Sequence, residues 1–240
     1  MKQNILGVVY DNVTIDQALD LAESFLNGAQ TSVVVTPNAE IAYEACRDPS
    51  VRETINQADL ILPDGAGVIL ASKIVGHPLQ EKVAGIDFAT RLLPILAERG
   101  ERLFLLGGKP GVAERAASNL RAQYPGLNVS GTLNGYFKEL SEAIKSIQDA
   151  SATVVFVCMG APKQEAFMLK ARSVLTDVRL MAGLGGSLDV FAGDVKRAPA
   201  WMIRLRLEWL YRLIREPKRF SRMLRIPKYL IYACRSKDKD

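Results

Sequence analysis

Short apolar runs alternate with longer segments of helical periodicity along most of this chain. Each run is rich in β-branched or aliphatic residues and stops at glycine, proline or a polar residue, which is typical of buried strands. The predicted strands cover residues 32–36, 59–62, 102–106, 127–131, 153–157 and 178–182. Helices are predicted between them, the first opening with a capping box at Thr14 and Gln17. This alternation predicts an α/β fold: a mainly parallel, Rossmann-like sheet with helices on both faces.

The C-terminal segment, residues 196–240, departs from this alternation. Its pattern is helical, basic and aromatic, and it is interrupted by Pro199, Pro217 and Pro227. It holds 14 of the 31 Lys and Arg residues but only 4 of the 26 Asp and Glu residues, so it carries +10 and the rest of the chain −5. We therefore predict an α/β core over residues 1–195 and a basic amphipathic helical appendage over residues 196–240.

The basic appendage predicts an anionic partner: phosphates, nucleic acid or a membrane face. A basic, aromatic, amphipathic segment suits the membrane interface. The alternative is a docked helical pair that buries Trp201 and Trp209. No apolar run is long enough for a membrane-spanning helix, and the N-terminus does not read as a signal peptide. We expect a cytoplasmic protein that is peripheral on the inner face of the membrane.

Glycines follow several predicted strands, at Gly107-Gly108, at Gly160 and from Gly183 to Gly186. Ligands of parallel α/β sheets bind at the carboxyl ends of the strands, and glycines there let backbone N–H groups approach a phosphate. The loops therefore predict a nucleotide or sugar-phosphate site. The sequence has no P-loop motif, and the glycine spacing of GLGGSLD does not match a dinucleotide fingerprint.

Polar residues at the strand ends are the candidates for chemistry. Asp64, in ADLILPDGAG, is either a turn residue or N-cap of the following helix, or a general base that takes a proton from an attacking hydroxyl. If the strands before them are neighbours, Thr36, Asn38 and Asp64 form one polar cluster. Gln164 is either a solvated helix residue or a ligand contact, and Asp189 either contacts a base or ribose or caps a helix.

Eight motifs, in order along nearly the whole chain, resemble the WecG/TagA/CpsF family, glycosyltransferase family 26. They are TPNAE (36–40), ADLILPDGAGV (58–68), FLLGGKPGVAE (104–114), NGYF (134–137), VCMGAPKQE (157–165), GLGGSLDVFAG (183–193), KRAPAW (196–201) and LEWLYRLIREPKRFSR (207–222).

The resemblance implies a bacterial enzyme that transfers a sugar from a UDP-sugar to a polyprenyl-diphosphate-linked sugar at the cytoplasmic membrane face. Its mechanism would be inverting, without a metal or other cofactor. The most similar subtype is the N-acetylmannosaminyltransferase of wall teichoic acid linkage-unit synthesis. Relatives also use other UDP-sugars, such as the uronic acid of N-acetylmannosamine, in exopolysaccharide or surface-antigen synthesis. Two rival hypotheses are an NAD(P)-binding oxidoreductase and a non-enzymatic membrane or nucleic-acid binding module. The poor fingerprint and the acidic, glycine-lined core argue against them, so we expect no nucleic-acid partner.

The resemblance also implies roles for individual residues. Asp64 is the expected base, with Thr36 and Asn38 holding the donor sugar or acceptor and Gln164 orienting the sugar nucleotide. Arginines of the appendage would stabilise the leaving diphosphate, namely Arg212, Arg219 and Arg222. The residues expected to hold UDP are Gly107, Gly108, Asn134, Gly135, Gly160, Gly185, Gly186 and Asp189. Apolar surface near the appendage leads us to expect a homodimer.

Overall fold

A parallel six-stranded sheet forms the centre of the protein, in a computed structural model that describes residues 2–199, 201–202, 208–215 and 223–237. An N-terminal antiparallel hairpin precedes it. The strands are β1 (Lys2–Ile5), β2 (Val8–Asp11), β3 (Ser32–Val35), β4 (Leu60–Ile61), β5 (Arg102–Gly107), β6 (Asn128–Leu133), β7 (Val154–Cys158) and β8 (Leu180–Gly183). The order across the central sheet is β4-β3-β8-β7-β5-β6, which confirms the predicted α/β fold.

Helices connect the strands and cover both faces of the sheet, as the alternation predicts. They are α1 (Ile15–Leu26), α2 (Ala39–Arg47), α3 (Pro49–Asn56), α4 (Ala66–Ile74), α5 (Gly85–Arg99), α6 (Val112–Gln123), α7 (Leu140–Asp149), α8 (Lys163–Ala171), α9 (Ser187–Phe191), α10 (Glu208–Arg215) and α11 (Arg225–Lys237). Helices α1, α5, α6 and α9 bury their apolar residues on one face. Helices α2, α3, α4, α7, α8 and α11 bury theirs on the other, together with the hairpin.

Helix starts follow local capping signals in the sequence. The Thr14 side chain and Gln17 form the predicted capping box of α1. Asp48 is the N-cap of α3, its carboxylate accepting a hydrogen bond from the N–H of Ser50, and Pro49 begins the helix. These signals are satisfied by neighbours in sequence, so they could be identified before the fold was known.

The β1–β2 hairpin was not predicted from the sequence. Its turn places Leu6 at φ +55° and Gly7 at φ +96°, a conformation for which Asn-Gly is the usual sequence. The hairpin covers the outer edge of the sheet, where the Asp11 carboxylate accepts a hydrogen bond from the Ile61 N–H at 2.9 Å. The Asp11 side chain thus provides the acceptor for the Ile61 N–H of the edge strand β4, which no neighbouring strand of the sheet reaches.

The last helix, α11, packs against α2 and α4 on the second face of the core. Tyr229 and Ala233 are completely buried there, and Arg225 pairs with Glu44 of α2. In contrast, Trp201 and Trp209 are 58% and 44% exposed. The alternative interpretation, a docked helical pair that buries both tryptophans, is therefore wrong about the tryptophans, although α11 itself is docked.

Candidate active site at the carboxyl edge of the sheet

The carboxyl ends of the parallel strands place the predicted site loops along one edge of the sheet. From β5 the chain crosses to β6 on one side, whereas from β7 it crosses to β8 on the other. Helices α6 and α8 consequently lie on opposite faces and leave a crevice between the ends of β5 and β7. Such a switch point is where ligands bind in open α/β sheets.

Hydrogen bonds join the three loops that border this crevice. The Gly108 N–H donates to the Cys158 carbonyl at 3.1 Å, and the Gly135 N–H donates to the Gly108 carbonyl at 2.9 Å. Lys163 Nζ donates to the Gly135 carbonyl at 2.9 Å. Two of the glycine N–H groups predicted to face a phosphate are therefore used inside the protein. The exposed Lys109 and Lys163 are cations beside the same crevice that the sequence analysis did not single out.

Gly107 is required by packing at this crevice. Its φ is +133°, and a Cβ at this position would overlap the carbonyl oxygen of Cys158. Only glycine lets the end of β5 approach β7 so closely. Asn134 makes a local turn here, its side-chain oxygen accepting a hydrogen bond from the Tyr136 N–H at 2.9 Å, and Gly160 follows β7 at φ +76°.

Thr36 lies at the end of β3 and is nearly buried, with 7% of its surface exposed. Its hydroxyl donates a hydrogen bond to the Gly183 carbonyl at 3.0 Å. A Cβ on Gly85 would lie 2.9 Å from the Thr36 hydroxyl oxygen, so glycine at the start of α5 makes room for it. Thr36 thus connects the ends of β3 and β8, leaving the lone pairs of its oxygen as its remaining hydrogen-bonding capacity.

Asp64 lies beside Asn38 because β3 and β4 are neighbours, with Val35 opposite Ile61. The predicted polar cluster of Thr36, Asn38 and Asp64 is therefore on one edge. Asn38 caps α2, its side-chain oxygen accepting hydrogen bonds from the N–H groups of Glu40 and Ile41 at 3.0 and 3.2 Å.

The N-cap interpretation of Asp64 is wrong, because Gly65, at φ +90°, is the N-cap residue of α4. Asp64 is partly exposed. Burial raises the pKa of Tyr10 well above its usual value, with further contributions from Tyr229, Cys46 and Asp64. The Tyr10 hydroxyl donates to the Pro37 carbonyl at 3.2 Å. The acid therefore lies within electrostatic reach of a buried tyrosine that contacts the loop after β3.

Gln164, the second residue of α8, is 2% exposed, so its interpretation as a solvated helix residue is wrong. Its side-chain oxygen accepts a hydrogen bond from the Gly185 N–H at 3.0 Å. Gly185, at φ +58°, is thereby held to α8. Asp189 is the third residue of α9, and the N-cap position there belongs to Gly186. The interpretation of Asp189 as a helix N-cap is therefore also wrong.

A cleft of about 230 Å³ lies between α4 and the loop that precedes α5, and its lining begins at Ala66, two residues after Asp64. The loop is held close to the acid because the Val83 N–H donates to the Pro63 carbonyl at 2.9 Å. The walls combine apolar and cationic side chains. They are formed by Ala66, Ile69, Lys73, Leu79, Gln80, Glu81 and Lys82.

Three further observations bear on the predicted site and its location. Arg212 falls within α10, whereas Arg219 and Arg222 lie outside the described residues, so the roles of these three arginines stay predictions. Within the described ranges, no three His, Cys, Asp or Glu side chains are grouped as metal ligands. Over the same ranges, no helix combines the length and the apolar character that crossing a bilayer requires.

Glu165 is a further residue of this region that the sequence analysis missed. It is 2% exposed and accepts a hydrogen bond from the Gln164 side-chain nitrogen at 2.9 Å. Burial raises the pKa of its carboxyl group, an effect that the hydrogen bonds from Gln164 and from its own N–H partly oppose. A Gln-Glu pair in the first turn of a helix usually indicates solvent exposure, so only the tertiary packing reveals this burial.

Comparison with known proteins agrees with the family resemblance that the eight sequence motifs indicate. Residues 3–240 match the model of the glycosyl transferase WecG/TagA/CpsF family. Three relatives each carry the name N-acetylglucosaminyldiphosphoundecaprenol N-acetyl-beta-D-mannosaminyltransferase. The protein of Bacillus spizizenii is 40% identical over 88% of this chain and 81% of its own length. That of Bacillus subtilis is 38% identical over 95% and 90%, and that of Staphylococcus aureus is 35% identical over 99% and 94%. The chain therefore belongs to the WecG/TagA/CpsF family of glycosyl transferases.

Proposed function

We propose that this chain is an inverting, metal-independent glycosyltransferase of wall teichoic acid linkage-unit synthesis. It transfers N-acetylmannosamine from UDP-N-acetylmannosamine to N-acetylglucosaminyl-diphospho-undecaprenol. The names of the Bacillus and Staphylococcus relatives support this assignment. The structural observation that carries it is the position of Asp64, partly exposed at the end of β4, on the same edge as Thr36 and the glycine-ended strands.

The donor lies along this edge. Strands in a sheet are about 4.8 Å apart, so the ends of β4 and β7 are separated by about 14 Å across three intervals. Only an elongated ligand contacts both. UDP occupies the crevice between β5 and β7, held by the loops at Gly107-Gly108, Asn134-Gly135, Gly160 and Gly185-Gly186 with Asp189. The sugar then extends past Gln164 towards Thr36, Asn38 and Asp64.

The reaction is a single in-line displacement. The Asp64 carboxylate accepts the proton of the acceptor hydroxyl as its oxygen forms a bond to the anomeric carbon of the donor. The bond from that carbon to the diphosphate oxygen breaks, and UDP leaves with the electron pair. The configuration at the anomeric carbon is inverted. A positioned general base contributes about 10²- to 10⁴-fold to such a step.

Arginines of the appendage stabilise the charge that grows on the leaving diphosphate. Arg212, Arg219 and Arg222 are the candidates, since guanidinium groups bind phosphate oxygens in a bidentate geometry. The basic composition of residues 196–240 supports this role.

The acceptor enters through the cleft between α4 and the loop that precedes α5 and reaches Asp64 from there. Ile69 and Leu79 provide apolar walls, and Lys73 and Lys82 provide cations, which suits a diphosphate attached to a polyprenyl chain. The one acidic wall residue, Glu81, is directed towards α1, where it accepts a hydrogen bond from the Ile15 N–H at 3.4 Å. The exposed Trp201 and Trp209 support binding at an anionic membrane surface, where the acceptor resides. Association as a homodimer stays a prediction.

The product of the reaction tests the donor and the acceptor together. Purified protein is incubated in EDTA with a short-chain N-acetylglucosaminyl-diphospho-lipid and one UDP-sugar at a time. Mass spectrometry should show one added N-acetylhexosamine with UDP-N-acetylmannosamine and none without the acceptor. Product with only the uronic acid donor would assign the chain to exopolysaccharide or surface-antigen synthesis. Binding of NAD(P) without binding of UDP would support the oxidoreductase instead.

A further inference from the structure

Glu165 is a buried acid at the start of α8, and the cations at the first residue and at the C-cap of this helix have other partners. Lys163 reaches the Gly135 carbonyl, and Arg172, at the end of the helix, pairs with Asp59 at 3.0 Å. Within the described ranges, no charged side chain is among the causes of the raised pKa of Glu165. The carboxyl group is buried without an ion-pair partner there, which is unusual for a glutamate.

Two hydrogen bonds link this acid to the predicted nucleotide loop. The Gly185 N–H requires an acceptor, so the oxygen of the Gln164 amide faces the loop after β8. The amide nitrogen then faces Glu165, to which it donates. A Cβ on Gly183 would lie 3.0 Å from this nitrogen, so the amide fills the space against β8. The orientation of Gln164 is therefore fixed from both ends, by Gly185 and by Glu165.

The second carboxyl oxygen of Glu165, Oε2, is buried and has no hydrogen-bond partner among the described residues. An ionised carboxylate here would place its charge in an apolar site with a single side-chain donor, that of Gln164. A neutral carboxylic acid costs less to bury: its carbonyl oxygen accepts from Gln164, and only an uncharged O–H group is left without a partner among the described residues. The environment therefore favours the neutral form.

We propose that Glu165 is a positioning residue that acts as a neutral carboxylic acid, holding the Gln164 amide in the orientation that fixes the loop after β8. This inference rests on the proposed function, because that loop is assigned to the UDP-sugar. Glu165 touches neither the donor nor the acceptor. Its effect reaches the site through Gln164 and Gly185.

A double-mutant cycle on UDP binding tests whether Glu165 acts through Gln164. Glu165→Ala and Gln164→Ala should each weaken UDP binding by about tenfold, as expected for loss of a buried hydrogen bond. The double variant should bind no more weakly than the poorer single variant. Glu165→Gln, which is neutral and keeps the acceptor oxygen, should restore binding to within about threefold of wild type. In turnover, the Michaelis constant for the donor should change more than the turnover number.

Two results would overturn the proposal. If Glu165→Gln bound UDP as weakly as Glu165→Ala, the ionised form would be the active one. If the losses of the two alanine variants multiplied in the double variant, Glu165 would act independently of Gln164. Circular dichroism verifies folding, and Glu165→Gln keeps the test valid if the alanine variant does not fold.

The ¹³C carboxyl resonance of Glu165 separates this inference from the proposed function, because it needs no ligand. The resonance is assigned by its absence in Glu165→Gln. A chemical shift of a protonated acid at neutral pH supports the proposal even if the UDP-sugar assignment fails, and the shift of a carboxylate overturns it. Conversely, UDP binding without N-acetylmannosamine transfer contradicts the proposed donor and leaves the binding cycle interpretable.

Discussion

The Thr36 hydroxyl donates a hydrogen bond to the carbonyl oxygen of Gly183 at 3.0 Å, so the ends of β3 and β8 are joined beside Asp64. Gln164 holds Gly185 two residues further along the same loop. Thr36, assigned to the donor sugar, and Gln164, assigned to the nucleotide, therefore bind the same loop after β8. A substitution of Thr36 should therefore affect both the sugar side and the nucleotide side of the proposed site.

Substitution of Thr36 separates its hydroxyl from its shape. Thr36→Val leaves the Gly183 carbonyl without this donor, so the free energy of unfolding should fall by about 1–3 kcal/mol in urea titrations. Turnover of the folded protein should fall by about tenfold or more. Thr36→Ser keeps the hydroxyl and should keep most of the activity. Full turnover in folded Thr36→Val would limit Thr36 to a structural role.

We predict that Gly107 is required for the stability of the folded protein even when no ligand is bound. Gly107→Ala should lower the free energy of unfolding by about 2–6 kcal/mol, since overpacking and backbone strain each cost about 1–3 kcal/mol. The matched control is Gly100→Ala, which has a positive φ of +67° but nothing within 4 Å of the new Cβ. This control should lose only about 1–2 kcal/mol. Equal losses in chemical denaturation would show that the approach to Cys158 is unimportant.

The raised pKa of Glu165 predicts a dependence of stability on pH. Because burial favours the protonated form, its contribution is complete below about pH 4.3, the usual glutamate pKa. The contribution is lost as the pH rises through the folded value. In that window, wild type should lose up to about 1.4 kcal/mol per pH unit from this group. Glu165→Gln should lack this component. Its free energy of unfolding in urea, relative to that of wild type, should therefore increase with pH. A relative free energy that decreased with rising pH would contradict the assignment.

Membrane binding should depend on the two exposed tryptophans. Trp201→Ser and Trp209→Ser should each weaken binding to anionic vesicles by about tenfold, because burying a large apolar side chain contributes about 1.5–3 kcal/mol. Leu21→Ser, at a 36% exposed position of α1, is the control and should bind as wild type does. Cosedimentation with anionic and zwitterionic vesicles measures both effects. Equal losses in all three variants would argue against a specific membrane face.

The sequence was sufficient to predict elements whose signals are local. The strand-ending glycines and the Thr14 capping box are read from neighbouring residues. The rule that parallel strands end on one edge placed Thr36 and Asp64 at the same edge, but only the pairing of β3 with β4 in the structure makes them neighbours. The β1–β2 hairpin could not be predicted, because Leu6 occupies a turn position that usually takes asparagine.

The burial of single polar groups was beyond the sequence. Nothing local distinguishes the buried Gln164 and Glu165 from a solvated pair at a helix start, because their burial depends on how α8 packs on β8. The glycine loops illustrate the same limit. Their positions were predicted, but only the structure shows that the N–H groups of Gly108 and Gly135 are already bonded within the protein.

The most direct test of the central claim is acceptor-dependent release of UDP by Asp64→Asn, measured in EDTA beside wild type. Asp16→Asn, which alters an exposed ion pair of α1, is the matched control and should release UDP as wild type does. We predict that Asp64→Asn binds UDP normally. Its rate of acceptor-dependent UDP formation from the UDP-sugar should be about 10²- to 10⁴-fold lower than that of wild type. Equal release by Asp64→Asn and wild type would contradict the assignment of Asp64 as the general base.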